Sequence, residues 1–186
     1  YKNKLVPSGY EASSAMSQAI DRMQFLSGDL GGARTAVRPP WALGEALFID
    51  KCTRCGDCIA ACPDDLIVEG RGKFPRIDFS RGGCDFCQEC VQVCKPGALA
   101  AGPGSESPPW ALKASILPEC LSLNAVICRS CGEACDQRAI RFKLEVGGIA
   151  RPLLERTSCN GCGACFAVCP VRAVAIAPDK PQLETA

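Results

Sequence analysis

The sequence predicts an α+β fold of two tandem modules, each built from short helices and a β-hairpin. Three observations predict it. A segment of sequence occurs twice. Sixteen cysteines fall into four blocks within 186 residues. Each pair of blocks flanks a stretch in which apolar and polar residues partly alternate around glycines.

The repeat sets the division. "PPWALGEALFIDKC" runs from Pro39 to Cys52, and "PPWALKASILPEC" from Pro108 to Cys120. The first five residues match, and each stretch then reaches a cysteine, with one residue fewer in the second. Tandem duplication accounts for this, and it aligns Cys120 with Cys52. The seam "AAGPGSESPPW", residues 100–110, has the Gly, Pro and Ser content of a linker. The expected units are an N-terminal extension (1–38), a first module (39–104) and a second module (105–186). Residues 1–15 differ in character from the rest and read as an added or upstream extension ahead of Met16. Over residues 17–30, Ile20, Met23, Phe25 and Leu26 form the apolar stripe of a short amphipathic helix. Ser27-Gly28 and Gly31-Gly32 end it. Two uses are open for that helix: packing on its own domain, or binding a partner.

Within the modules, "LIVEGRGKFPRIDF" and "AIRFKLEVGGIARPLLE" read as hairpins, with Gly70 and Gly72 at one turn and Gly147-Gly148 at the other. Helical pieces are expected after the third cysteine of a block, in "CIAACPDDL", "CVQVCKPGAL" and "CFAVCPVRAV". Helices this short are marginal alone. Each module is also too small for a large apolar core. Bound metal is the expected staple.

Composition narrows the setting. Hydrophobic residues make up 47% of the chain, enough for folding. The formal charge of +1 gives no cationic surface for nucleic acid. No apolar run approaches the roughly 18 residues of a membrane span. "YKNKLVPSGYEASSA" lacks an apolar region after its lysines, and Arg22 and Arg34 are separate, so neither signal type is read. The expectation is a cytoplasmic protein with reduced thiols, which disfavours a disulfide framework.

Three blocks keep strict C-x2-C-x2-C-x3-C spacing: Cys52, Cys55, Cys58 and Cys62; Cys84, Cys87, Cys90 and Cys94; Cys159, Cys162, Cys165 and Cys169. The remaining block is Cys120, Cys128, Cys131 and Cys135, where Ala125 stands at the place of a strict first cysteine. Thiolates select iron–sulfur clusters, zinc or cuprous copper. Zinc sites take two separated pairs of ligands, and four cysteines in eleven residues, three times over, fit that poorly. Three cysteines at this spacing wrap one [4Fe–4S] cluster, and the fourth reaches a partner cluster.

These blocks resemble the bacterial ferredoxin family over about residues 39–178. Pro63 and Pro170 follow the fourth cysteine as in that family. Lys95 before Pro96, and Asp136 after Cys135, depart from it. The resemblance implies two ferredoxin-like modules and four [4Fe–4S] clusters. Cluster 1 takes Cys52, Cys55, Cys58 and Cys94. Cluster 2 takes Cys84, Cys87, Cys90 and Cys62. Cluster 3 takes Cys120, Cys128, Cys131 and Cys169. Cluster 4 takes Cys159, Cys162, Cys165 and Cys135. A nested arrangement, first block with fourth and second with third, stays open, although the linker and repeat oppose it. For Cys120 the other reading is a buried, inert thiol.

"VRPPWAL", "CTRCGDC", the C-x7-C-x2-C-x3-C block and "CNGCGACFAVCPV" together resemble the ferredoxin-type accessory proteins encoded with periplasmic nitrate reductase. That family's paired N-terminal arginines are missing here. The resemblance implies a cytoplasmic protein that binds the molybdenum-containing catalytic subunit before export. It would supply electrons or a cluster during maturation. The alternative is a general electron carrier, or the electron-transfer subunit of an oxidoreductase with its own redox partner. An enzyme is not expected: the chain has no histidine, phosphate loop or dinucleotide fingerprint. Asp64 and Asp65 read as surface or helix-start residues, and Trp41 and Trp110 as packing residues.

Overall fold

Antiparallel pairing closes both halves of the chain. The computed structural model describes residues 36–101, 109–145 and 147–179. The expected N-terminal helix and most of the seam lie outside them. In the first half, Ala42 and Leu99 form an isolated antiparallel bridge. The Leu43 amide donates to the Ala98 carbonyl (3.1 Å), and the Ala100 amide to the Trp41 carbonyl (2.9 Å). Then come α1 (Glu45–Lys51), α2 (Asp57–Ala60), β1 (Ile67–Glu69), a 3-10 turn (Arg71–Lys73), β2 (Pro75–Ile77) and α3 (Glu89–Gln92). In the second half the closing pair is longer. There β3 (Leu112–Ile116) pairs with β6 (Val174–Pro178), Leu112 facing Pro178. Between them lie α4 (Ser130–Glu133), β4 (Ile140–Leu144), β5 (Ala150–Leu154) and α5 (Ala164–Ala167). The fold is α+β.

The repeated motif leads into different structure in each half. After the first PPWAL, "GEALFIDK" is rich in helix formers and makes α1, which carries the fully buried Phe48 into the core. After the second, "KASI" continues an alternating pattern, Leu112 and Ala114 turn inward, and the chain stays extended as β3. Arg38 fastens α1. It donates twice to Glu45, at 3.0 and 2.6 Å, while its guanidinium lies 4.9 Å over the Phe48 ring.

Both hairpins form where the sequence puts them. β1 and β2 pair Ile67 with Ile77, and β4 and β5 pair Ile140 with Leu154. Gly147 and Gly148 both have left-handed φ, +95° and +81°, which glycine adopts without a Cβ penalty. The short helices start one residue before the third cysteine rather than after it, at Asp57, Glu89, Ser130 and Ala164.

Two small cores result. The first gathers Phe48, Leu66, Ile67, Ile77, Phe79, Ala98 and Leu99 with Cys90, and takes in Leu112 from β3 of the second half. The second holds only Ala114, Cys131, Ile140, Cys165 and Val174. A fully buried Phe or Leu contributes about 1.5–3 kcal/mol. On that scale the second core is thin, and two of its five members are cysteines. An aromatic row joins the halves: Trp41 to Phe86, Phe86 to Trp110 and Trp110 to Phe79, with ring centroids 6.2, 5.6 and 5.8 Å apart. Trp110 Nε1 donates to the Asn160 carbonyl (3.0 Å), and the Trp41 amide to the Pro109 carbonyl (2.7 Å). Both tryptophans pack, as their size suggests.

Candidate metal centres

The three strict loops share a backbone shape. In each, the middle cysteine lies between two left-handed residues: Arg54 and Gly56 around Cys55, Phe86 and Gln88 around Cys87, Gly161 and Gly163 around Cys162. Their φ values run from +60° to +88°. Such turns curl successive N–H groups toward one concavity, a device of anion and iron–sulfur sites. The second left-handed residue sits directly ahead of the helix and starts it early, ahead of the third cysteine.

The end of every block is also uniform. Three residues after the fourth cysteine comes a left-handed residue: Asp65, Gly97, Arg138 and Arg172. Its amide donates back to the cysteine carbonyl, at 3.2, 3.0, 2.8 and 3.2 Å respectively. The turn forms with proline directly after the cysteine (Pro63, Pro170) and without it (Lys95, Asp136). Two of these turns aim amides at the thiol itself: Leu99 to Cys94 Sγ (3.3 Å) and Ala173 to Cys169 Sγ (3.2 Å).

Folding gathers the cysteines into four recesses. Cys52, Cys55, Cys58 and Cys94 line one of about 360 Å³, counted to its open mouth. Cys62, Cys84, Cys87 and Cys90 line a second of about 350 Å³. Cys120, Cys128, Cys131 and Cys169 line a third of about 350 Å³. Cys135, Cys159, Cys162 and Cys165 line a fourth of about 320 Å³. These are called sites 1, 2, 3 and 4. The first and second blocks exchange their fourth cysteines, and so do the third and fourth. None of these four recesses combines the first block with the fourth, or the second with the third.

Electrostatics report the neighbours within each recess and also reach across recesses, since Cys90 of site 2 acts on Cys58 and Cys131 of site 3 acts on Cys165. Burial, then the adjacent thiols of Cys90, Cys52, Cys94 and Cys55, push Cys58 up to about 12. Burial followed by Cys162, Cys159, Cys131 and Cys135 does the same for Cys165, to about 12. Cys131 rises to about 11 through burial and then Cys120, Cys128 and Cys169. Crowded, buried thiols therefore stay protonated until a cationic group offsets their mutual repulsion. A metal group would do this, releasing the protons as it binds.

The donor set fits iron–sulfur clusters. Four thiols face each recess. Among the described residues, no three His, Cys, Asp or Glu side chains converge tightly enough for a single metal ion. The thiols stand around a space rather than a point, which suits a polynuclear group. Trp41 on the wall of site 2 also has a buried Nε1 with no partner among the described residues. A sulfur-rich group there would give it an acceptor.

Site 3 keeps the second half of the pattern and changes the first. Neither Ile127 nor Arg129 beside Cys128 is left-handed; Arg129 has φ −135°. The longer loop is nonetheless well built. Asn124 Nδ2 donates to the carbonyls of Pro118 (2.8 Å) and Cys120 (2.9 Å). Buried Ser122 donates from Oγ to the Ala150 carbonyl, and the Leu117 amide to the Ala173 carbonyl (2.8 Å). These bonds hold Cys120 buried on the site 3 wall, while Ala125 is exposed at the loop tip.

Sequence reasoning missed one pair of residues. Asp85 Oδ1 accepts the Cys87 amide at 3.1 Å, and Asn160 Oδ1 accepts the Cys162 amide at 3.1 Å. The signal was present: Asp or Asn directly after the first cysteine is the composition of an Asx turn.

Two 4Fe-4S dicluster domain models match, over residues 51–99 and 126–173. The first spans all eight cysteines of its half, whereas the second starts after Cys120. The ferredoxin-type protein NapF of Haemophilus influenzae is 42% identical over 138 residues, 74% of this chain and 77% of its own. That of Escherichia coli K12 is 39% identical over 153 residues, 82% of this chain and 92% of its own. The methylamine utilization ferredoxin-type protein MauM of Methylobacillus flagellatus is 30% identical over 161 residues, 77% and 68% of the two chains. The matched domains indicate iron–sulfur clusters of the 4Fe–4S type, held on two tandem dicluster units. With that identity extending over most of both chains, this protein belongs to the family of the ferredoxin-type protein NapF.

Proposed function

We propose that this chain is a cytoplasmic accessory protein of a molybdenum-containing periplasmic nitrate reductase. It docks the immature catalytic subunit before export and supplies electrons or a cluster during maturation. The similarity to NapF along most of the chain carries this reading. Four [4Fe–4S] clusters are assigned to sites 1 to 4, with the cysteines of each recess as ligands. Their chemistry is one-electron transfer at potentials tuned by charge, hydrogen bonding and exposure. The protein's part is to hold four thiolates per site and point backbone amides at sulfur, as Leu99 and Ala173 do. It also keeps Cys90, Cys131 and Cys165 away from water. Among the described residues no helix is long and apolar enough to cross a membrane.

A second reading is a general electron carrier with a redox partner of its own. It draws on the relatives named for methylamine utilization, whose likeness covers about as much of this chain. One experiment separates the two. Holoprotein is immobilised and mixed with cytoplasmic extract containing the apo catalytic subunit. Retention that weakens when residues 16–38 are deleted supports the accessory reading. No retention in either form, together with fast electron exchange with a redox protein, favours the carrier.

A further inference from the structure

We propose that Asp85 and Asn160, one atom apart in chemistry and alike in geometry, set the order in which the two adjoining sites of the protein accept electrons, with site 2 the harder to reduce. The inference rests on the cluster assignment made above. Both residues directly follow the first cysteine of a strict block. Both accept the amide of the middle cysteine, Cys87 or Cys162, at 3.1 Å. The turn, the hydrogen bond and the loop spacing are therefore common to sites 2 and 4. The difference is a full negative charge at one and a neutral amide at the other.

The surroundings enlarge that difference. The wall of site 2 includes Asp64 and Asp85 and no basic residue. The wall of site 4 includes no charged side chain; beyond it Lys113 Nζ donates to the Cys159 carbonyl at 2.5 Å, and Asp136 acts on Cys162 as the smallest of the influences on it. Among the described residues no cation lies within ion-pair distance of Asp85. A carboxylate beside a group that gains an electron repels it and lowers its potential, whereas an amide in the same place does not. Asp85 is exposed, so solvent and salt screen the effect without abolishing it. Trp41, a hydrogen-bond donor on the site 2 wall, would act in the opposite direction, but it stays constant in an Asp-to-Asn exchange.

The contrast has consequences because the two loops touch. The Cys84 amide donates to the Cys162 carbonyl at 2.8 Å. Asp85 and Asn160 thus flank the contact between the halves, where an electron would cross from one to the other.

The test is an EPR-monitored redox titration of the full-length holoprotein and three variants: Asp85→Asn, Asn160→Asp and the double exchange. Each is isosteric and keeps the Asx turn, and iron per chain is counted for each. Asp85→Asn should raise one midpoint potential and leave the others in place. Asn160→Asp should lower a different one. The double exchange should bring both changes together, and all the shifts should shrink in high salt. Unmoved midpoints at full iron content would overturn the proposal, as would both single variants moving the same wave. Loss of iron from a variant would overturn it too, because the residue would then hold the site together rather than tune it. Wild-type protein without 4Fe–4S signals would instead remove the cluster assignment beneath it. Failure of the nitrate reductase pull-down would leave these titrations unaffected.

Discussion

The Cys84 amide donates to the Cys162 carbonyl at 2.8 Å, so a cluster loop of one half is hydrogen-bonded to a cluster loop of the other. Gly83 makes the approach possible. A Cβ there would lie 2.7 Å from Ala164 Cβ and 2.8 Å from Ala164 Cα and N. Its φ is not in the left-handed region, so the neighbouring chain alone forbids a side chain. Gly83→Val should therefore cost about 1–3 kcal/mol, the usual penalty for overpacking. The loss of visible cluster absorbance in guanidinium should shift to lower denaturant. Gly44→Ala is the control, since nothing lies within 4 Å of the added Cβ. Equal shifts in the two variants would show that this packing contributes nothing.

Cys120 is the proposed ligand of site 3 that rests on the repeat and the fold alone, because the second matched domain begins after it. Cys120→Ser should perturb one cluster and leave three untouched. Iron should fall by no more than about four atoms from about sixteen, with one EPR signal changed. Adding Ala125→Cys restores the strict spacing in sequence but should not rescue the site. Ala125 is exposed at the loop tip, outside the recess that holds Cys120, Cys128, Cys131 and Cys169. Rescue by Ala125→Cys, or unchanged iron in Cys120→Ser, would return Cys120 to the status of a bystander.

Much of this was legible in the chain because cysteine spacing and glycine turns are local signals. The tandem halves, the two hairpins and the alignment of Cys120 with Cys52 all follow from short stretches of sequence. Contacts across long separations were not legible. That Gly83 faces Ala164, or that Phe79 closes on Gly163, depends on how the two halves pack, and no periodicity encodes it. The left-handed residues were only half visible. Glycine announces them at positions 56, 161 and 163, but Arg54, Phe86 and Gln88 adopt the same backbone through the constraint of the loop. In the three strict blocks the helix starts directly after the second left-handed residue, whereas α4 starts one residue before Cys131 without one.

Gly56 and Gly163 occupy the same position in two strict loops, with φ +84° and +88°. Their surroundings differ. A Cβ at Gly56 meets nothing within 4 Å, whereas at Gly163 it would fall 2.0 Å from Phe79 Cδ1. Gly56→Ala should cost only the backbone penalty, about 1–2 kcal/mol, and keep its cluster. Gly163→Ala carries that penalty and must also displace Phe79 from the aromatic row with Trp110. It should lose about 1–3 kcal/mol more and release iron from site 4 first. Iron content and melting of the two variants, measured side by side, check this. Equal losses would mean that Phe79 yields without cost.

Removal of iron should unfold the halves unequally. The first half has Phe48, Leu66, Ile67, Ile77 and Phe79 buried around its sites. The second relies on Ala114, Ile140 and Val174 together with Cys131 and Cys165. Small domains with little apolar core depend on their metal for folding, and this dependence should be greater where the cysteines themselves form the core. Anaerobic chelation followed by hydrogen exchange should show amides of β4, β5 and the β3–β6 pair losing protection first. Those of β1, β2 and α1 should persist longer. Acid quench and peptide mass analysis give the comparison directly, with the holoprotein as reference. Simultaneous loss across both halves would mean that the contact between Cys84 and Cys162 couples them into one cooperative unit. In that case Gly83→Val should restore the predicted order.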